Sequence, residues 1–391
     1  MHRKLCPLLV VICGAVVFPA LAEPFIPEAG TQVLEQLREQ PLDASARELR
    51  ILRTSLSENP RDVALATRVA RRYIEESRMQ GDPRYLGYAQ AALKPWWPET
   101  HPPTSVLLLR ATIRQSTHDF DGALADLALL LEATPENVQA WITQATILQV
   151  KGEYARAAQS CAALADVAPN YAVICSAGVD GLNGRAAQGY DLLARALSTI
   201  PDSALDQRVW IETNLAEIAT RLDRRDVAQS HFERALHYGA TDPYLKATYA
   251  DFLLDDGRPE EVVAFLRSDV RIDALVLRLA LAEQMLGARE LPERIVTLRD
   301  RFDAARARGD RIHLREEARF YTLLLKQADE GLRLAQANWA VQKEPADART
   351  LLEAALLANA PRAAEPVIEW MRQNKLEDAN LTRIIQRLEQ S

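Results

Sequence analysis

The feature that most constrains this chain is a spacing. Ala89, Ala123 and Ala157 recur at intervals of 34 residues, and each leads four positions on to a residue suited to the same helix face: Leu93, Leu127 and Cys161. Pro135 and Pro169 close successive phrases at that interval, and Ala216 with Ala250 and Ala228 with Val262 keep it further along. A period of this length marks a repeating supersecondary unit. Within each unit small and apolar residues fall three and four apart, so the unit reads as two antiparallel helices. Alanine stands where the two backbones cross, because close approach admits only small side chains. Larger residues one turn away fill the grooves and face the next unit. Gly152 and Gly257 suit the turn inside a unit, where a left-handed conformation is cheap for glycine. Pro135 and Pro169 stop one helix and start the next unit. Neither helix buries its stripe alone, so the units stack. A helical bundle would not hold that register.

Composition agrees. Ala, Leu, Arg, Glu and Gln dominate, glycine numbers 15 in 391 residues, and β-branched and aromatic residues never form alternating runs. Apolar residues at 48% and charged residues at 26% are those of a folded chain and exclude wholesale disorder.

One block runs through Trp141, Ala145 and Leu148, then Gly152 and Tyr154, then Ala157, Cys161 and Pro169. It resembles the tetratricopeptide pattern: an aromatic, a small residue, a large residue, a turn, Ala-x3-Phe and a closing Pro. The block before it matches through Leu107, Ala111, Phe120, Ala123, Leu127 and Pro135. Later blocks match through Ala216, Ala228, Phe232 and Ala235, and through Tyr249, Ala250, Leu253, Gly257, Val262 and Leu266. The resemblance implies an all-α, right-handed superhelical solenoid of antiparallel helix pairs, with TPR-like repeats over 61–270. Residues 23–60 are expected to hold N-terminal capping helices. Residues 271–391 are expected to hold degenerate TPR-like repeats with a C-terminal capping helix from Glu377 to Gln390, because the register drifts from Ala274. Between Pro169 and Pro201 the block is short and glycine-rich (Gly178, Gly181, Gly184, Gly189), and Trp96 to Pro103 is a proline-rich joint.

Residues 1–22 read as an address. Arg3 and Lys4 give a basic start, Leu8 to Phe18 is almost wholly apolar, and Ala20, Leu21 and Ala22 form the small-x-small pattern of a signal peptide cleavage site. The apolar run is short for a span and is broken by Gly14 and Pro19. Cleavage after Ala22 is expected, leaving a periplasmic or secreted chain with no stable membrane insertion. The formal charge is −7, and the leader holds two bases and no acid, so its removal takes the charge to −9. That balance argues against a nucleic-acid partner, whose phosphates need a basic face. It also argues against a polybasic membrane patch.

No constellation points to catalysis, a metal or a cofactor, and the chain is not expected to be an enzyme. His231 and His237 are six apart on one helix and so on different faces. His118, Asp119 and Asp121 fall in a turn, where the acids serve as helix caps. Gly178, Gly181 and Gly184 lack the strand and spacing of a dinucleotide loop. Cys161 and Cys175 lie seven residues either side of position 168, at one height of an antiparallel pair. They read as a structural disulfide, worth about 3 kcal/mol on the chain-entropy estimate, or as two buried thiols.

The tetratricopeptide resemblance implies that the first helices of the repeats line a groove for peptides or partner helices. On this chain that groove maps to Thr112, Gln115, Thr146, Gln149, Glu217, Thr220, Arg221 and Asp251; the plain alternative for each is a solvated helix residue. Leu108, Ile142, Thr213 and Ala247 stand where some relatives carry the leading lysine of a carboxylate clamp. Trp96 and Trp97 read as a core cap or an exposed anchor. The function expected is an exported scaffold or adaptor for protein or peptide partners, in an envelope assembly, secretion or polysaccharide-export system. The alternative is an accessory protein that holds a metal or small ligand in the groove.

Overall fold

The computed structural model describes residues 44–391 except 240, 311 and 391. The expected leader, its cleavage site and the part of the capping region before residue 44 lie outside the described residues. The packing below is that of the unit running from Glu48 to the C-terminus.

Among the described residues every regular element is a helix. After α1 (Ala44–Glu58), α2 (Val63–Gln80) pairs with α3 (Arg84–Ala92), α4 (Thr104–Ser116) with α5 (Phe120–Ala133), and α6 (Val138–Val150) with α7 (Tyr154–Ala162). Next come α8 (Pro169–Asp180) with α9 (Ala186–Leu197), α10 (Leu205–Arg221) with α11 (Arg225–Gly239), and α12 (Pro243–Asp255) with α13 (Pro259–Leu266). The last pairs are α14 (Asp273–Leu286) with α15 (Leu291–Ala307), α16 (Leu314–Arg319) with α17 (Ala328–Trp339), and α18 (Pro345–Leu357) with α19 (Glu365–Asn374); α20 (Ala379–Gln390) closes the chain. The fold is an all-α solenoid of antiparallel helix pairs.

The alanines of the period sit where the helices cross. Ala123, Ala157, Ala216, Ala228 and Ala250 are completely buried. Gly152 and Gly257 take the left-handed turn, at φ +73° and +69°, and Pro169 stands in the first turn of α8. The proline-rich joint is pinned from behind: Arg110 donates to the carbonyls of Trp97 (2.8 Å) and Glu99 (2.9 Å) and pairs with buried Asp126. Trp96, 7% exposed, belongs to the core with Leu93 and Val106.

The glycine-rich block proves tightly packed. A Cβ at Gly189 would lie 2.6 Å from the Ala177 carbonyl oxygen, so α8 and α9 approach to backbone contact there. A disulfide joins Cys161 on α7 to Cys175 on α8, with Cα atoms 5.4 Å apart.

The solenoid also returns on itself. The α6–α7 turn meets the segment before α18, where the Lys343 amide donates to the Val150 carbonyl (2.7 Å). Glu377 accepts from the Ala186 amide at the start of α9 (2.9 Å), and Arg383 reaches Asp223 of the α10–α11 turn (2.7 Å). Leu148, Tyr154, Cys161 and Cys175 share one apolar cluster with Trp339, Leu351, Trp370 and Leu381. The last helices thus cover the turn edge of the middle repeats.

Candidate functional site

The first helix of each middle repeat presents one face inward, and helical spacing selects its members. On α10 these are Trp210, Asn214, Glu217 and Arg221; on α12 they are Tyr244, Thr248, Asp251 and Asp255. The C-terminal ends of these faces are taken up by the returning chain. Arg278 and Arg319 both pair with Asp251 (2.7 and 2.8 Å), and Arg349 holds Asp255 through two bonds of 2.7 Å. Burial alone would raise the Asp251 carboxyl, but these arginines outweigh it and hold it well below the ordinary carboxylate range.

The N-terminal ends stay open. Trp210 is 41% and Tyr244 56% exposed. Tyr244 donates its hydroxyl to Glu217 Oε1 (2.6 Å), and Tyr171, on the first turn of α8, accepts from Gln207 Nε2 of α10 (2.5 Å). Tyr171 and Tyr244 stand in the first turns of α8 and α12, and Trp210 in the second turn of α10.

A charged cluster separates the open end from the filled end. Arg315 of α16 donates to Glu344 (3.2 Å) and Asp347 (3.4 Å). Asp347 is fully buried, accepting from Asn338 Nδ2 (2.8 Å) and the Glu344 amide (3.0 Å). Burial, and then the neighbouring Asp347 carboxylate, push Glu344 up to about 7. Burial also raises Glu217. Tyr154 is 2% exposed and lies in the field of Glu344, Arg221 and Asp347.

Glu217, Arg221 and Asp251 of the expected groove thus belong to this inner system, with Arg221 also donating to the Gly181 carbonyl (3.2 Å). Thr112, Thr146 and Thr220 turn their hydroxyls to the carbonyls of Leu108, Ile142 and Ala216 on their own helices. Gln149 likewise donates to the Ala145 carbonyl (3.3 Å), and Gln115 is half-buried on α4. Trp210, Tyr244, Arg315, Arg319 and Glu344 escaped the sequence reading. A signal did exist for two of them: Trp210 and Tyr244 stand 34 residues apart, in step with Ala216 and Ala250.

The other sequence candidates have structural roles. His231 is buried between Glu212 (2.5 Å) and the Tyr190 hydroxyl (2.8 Å). His118 lies against Gln342 (3.0 Å) and Phe120. No cluster of His, Cys, Asp and Glu suited to a metal ion occurs among the described residues. No described helix is long and apolar enough to cross a membrane. A cavity of about 200 Å³ lies at the α2–α3 turn, lined by Ile74, Arg78, Leu86, Ile312 and His313.

No family model matches the chain, and no curated protein does. Solved structures resemble it in outline. A tetratricopeptide repeat protein from Parabacteroides merdae aligns at 16% identity over 65% of this chain and 91% of that one, with a TM-score of 0.41. The APC/C hetero-tetramer Cut9-Hcn1 aligns at 12% identity over 88% and 66%, with 0.49. The human IFIT1 dimer with m7Gppp-AAAA aligns at 14% over 84% and 85%, with 0.45. No family is assigned on these likenesses. The helix pairs of the chain itself carry the repeat fold, and its own inner face carries the functional reading.

Proposed function

We propose that this chain is an exported adaptor that holds protein or peptide partners on the open half of its inner face. The observation that carries the reading is the division of that face. Its C-terminal half is saturated by Arg319 and Arg349 of the same chain, whereas its N-terminal half leaves Trp210 and Tyr244 facing water. Exposed aromatic rings on an otherwise polar face are the residue type that anchors protein interfaces. Export is supported by the leader pattern of residues 1–22 and by the disulfide, a bond that persists in oxidising compartments. Envelope assembly, secretion or polysaccharide export is the setting that fits an exported repeat adaptor. The net negative charge of the chain speaks against phosphate-bearing partners.

Affinity capture of the mature chain from its native envelope, with cross-linking and mass spectrometry, tests the reading. Cross-links joining a partner to residues near Trp210 and Tyr244 are expected. Recovery of the chain alone under gentle conditions would contradict it.

A further inference from the structure

We propose that the cavity at the α2–α3 turn binds a small apolar carboxylate, a single ring or a short alkyl chain, with its head on Arg78 and its body against Ile74, Leu86 and Ile312. The proposal is independent of the adaptor reading, since the cavity shares no residue with the Trp210 and Tyr244 face.

The cavity is assembled from distant parts of the chain. Ile74 and Arg78 come from α2, Leu86 from α3, and Ile312 and His313 from the segment before α16. Ile312 packs onto the apolar core of the first helix pair, which holds the far wall in place. Gly81 takes the left-handed conformation at φ +61°, and a Cβ there would lie 2.9 Å from Ile272 Cγ2. The turn is thus closed onto the α13–α14 loop, and its wall is set before a ligand arrives.

The polar groups around the cavity are committed, with one exception. Ser77 donates its hydroxyl to the Asp82 carbonyl (3.0 Å), and Ser116 donates to the Thr112 carbonyl (2.9 Å). Asp82 is held by Arg84 (2.5 Å). Asp310 accepts from the Ile312 amide (2.9 Å) and has His313 Nε2 4.0 Å away. Arg72, on the same helix, pairs with Glu75 (2.5 Å). The guanidinium of Arg78 pairs with no described carboxylate, although it lines the cavity. A free guanidinium beside an apolar wall recognises a carboxylate through two parallel, charge-assisted hydrogen bonds. Ile74, Pro83, Leu86 and Ile312 then cover the apolar body.

Volume limits that body. The cavity measures about 200 Å³. An apolar cavity of about 150 Å³ admits one benzene ring, whereas drug-sized ligands occupy pockets of at least about 300 Å³. A body of roughly six carbons therefore fits, and a fused ring system does not.

The test uses the full chain and titration calorimetry with hexanoate, hexanol and hexylamine, which share a body and differ in the head. Hexanoate is expected to bind saturably at about 1 mM or tighter, and the other two at least about tenfold more weakly. Arg78→Gln is expected to weaken hexanoate at least about tenfold and to erase its advantage over hexanol. Arg68→Gln, on the same helix but outside the cavity, is expected to leave hexanoate binding unchanged. Both arginines are exposed, so both variants are expected to melt with the parent. Absence of hexanoate binding overturns the proposal. Equal binding of hexanol would mean an apolar hole with no site for the head, and equal weakening by Arg68→Gln would mean diffuse charge. Either result overturns it as well.

Discussion

Arg278 and Arg319 are each only 6% exposed, and both point at Asp251. Such a pair is a weak source of net stability, but removing one partner strands buried charge. Asp251→Ala is therefore expected to cost about 3 kcal/mol, read as a fall in the urea midpoint. The depressed carboxyl of Asp251 makes a contribution present above the ordinary Asp range and lost as pH falls through it. Glu344 has the opposite sign. Its pKa of about 7 in the fold lies above its ordinary 4.5, so the folded state binds its proton more tightly. Its contribution is full below about pH 4.5 and is lost as pH rises towards 7. Glu344→Gln is expected to flatten the fall in Tm between pH 5 and 7.5 by roughly 2 °C, a small effect because the side chain is 38% exposed. An unchanged pH profile would refute that assignment. At this scale the sequence names residues but not their partners. Asp251 meets Arg319 from 68 residues away, and no local pattern encodes that.

Elements were the most readable level, because the 34-residue period is local physics: alanine at crossings, glycine in turns, proline at starts. The reading weakened after Ala274 because the first helices leave the 34-residue step there, α14 starting 30 residues after α12 and α16 starting 41 after α14. A π-helical turn, Phe320–Leu324, then follows α16 directly. In the glycine-rich block, Gly181 and Gly189 mark close approach. Gly189→Ala is expected to cost about 1–3 kcal/mol by forcing α8 off α9, measurable as a lower Tm. The disulfide closes a loop with a sequence separation of 14. Replacing both Cys161 and Cys175 by serine is expected to lower unfolding free energy by about 3 kcal/mol. Intact mass before and after reduction and alkylation reports whether the bond exists in the native chain.

The whole molecule holds what periodicity does not express. Glu377 caps the amide of Ala186, 191 residues earlier, and the last helices complete the core of the middle repeats. Such contacts carry no spacing signature, so a groove read as open along its length is in fact half-filled. Deleting residues 328–391 is expected to speed amide exchange in α6 to α8 rather than leave them untouched. The central claim, that partners sit on the remaining open half, is most directly met by hydrogen exchange on the full mature chain with and without a captured partner. The account predicts new protection at the N-terminal turns of α8, α10 and α12, around Tyr171, Trp210 and Tyr244. Protection confined to the outer helices α9, α11 and α13, with those turns unchanged, would contradict it.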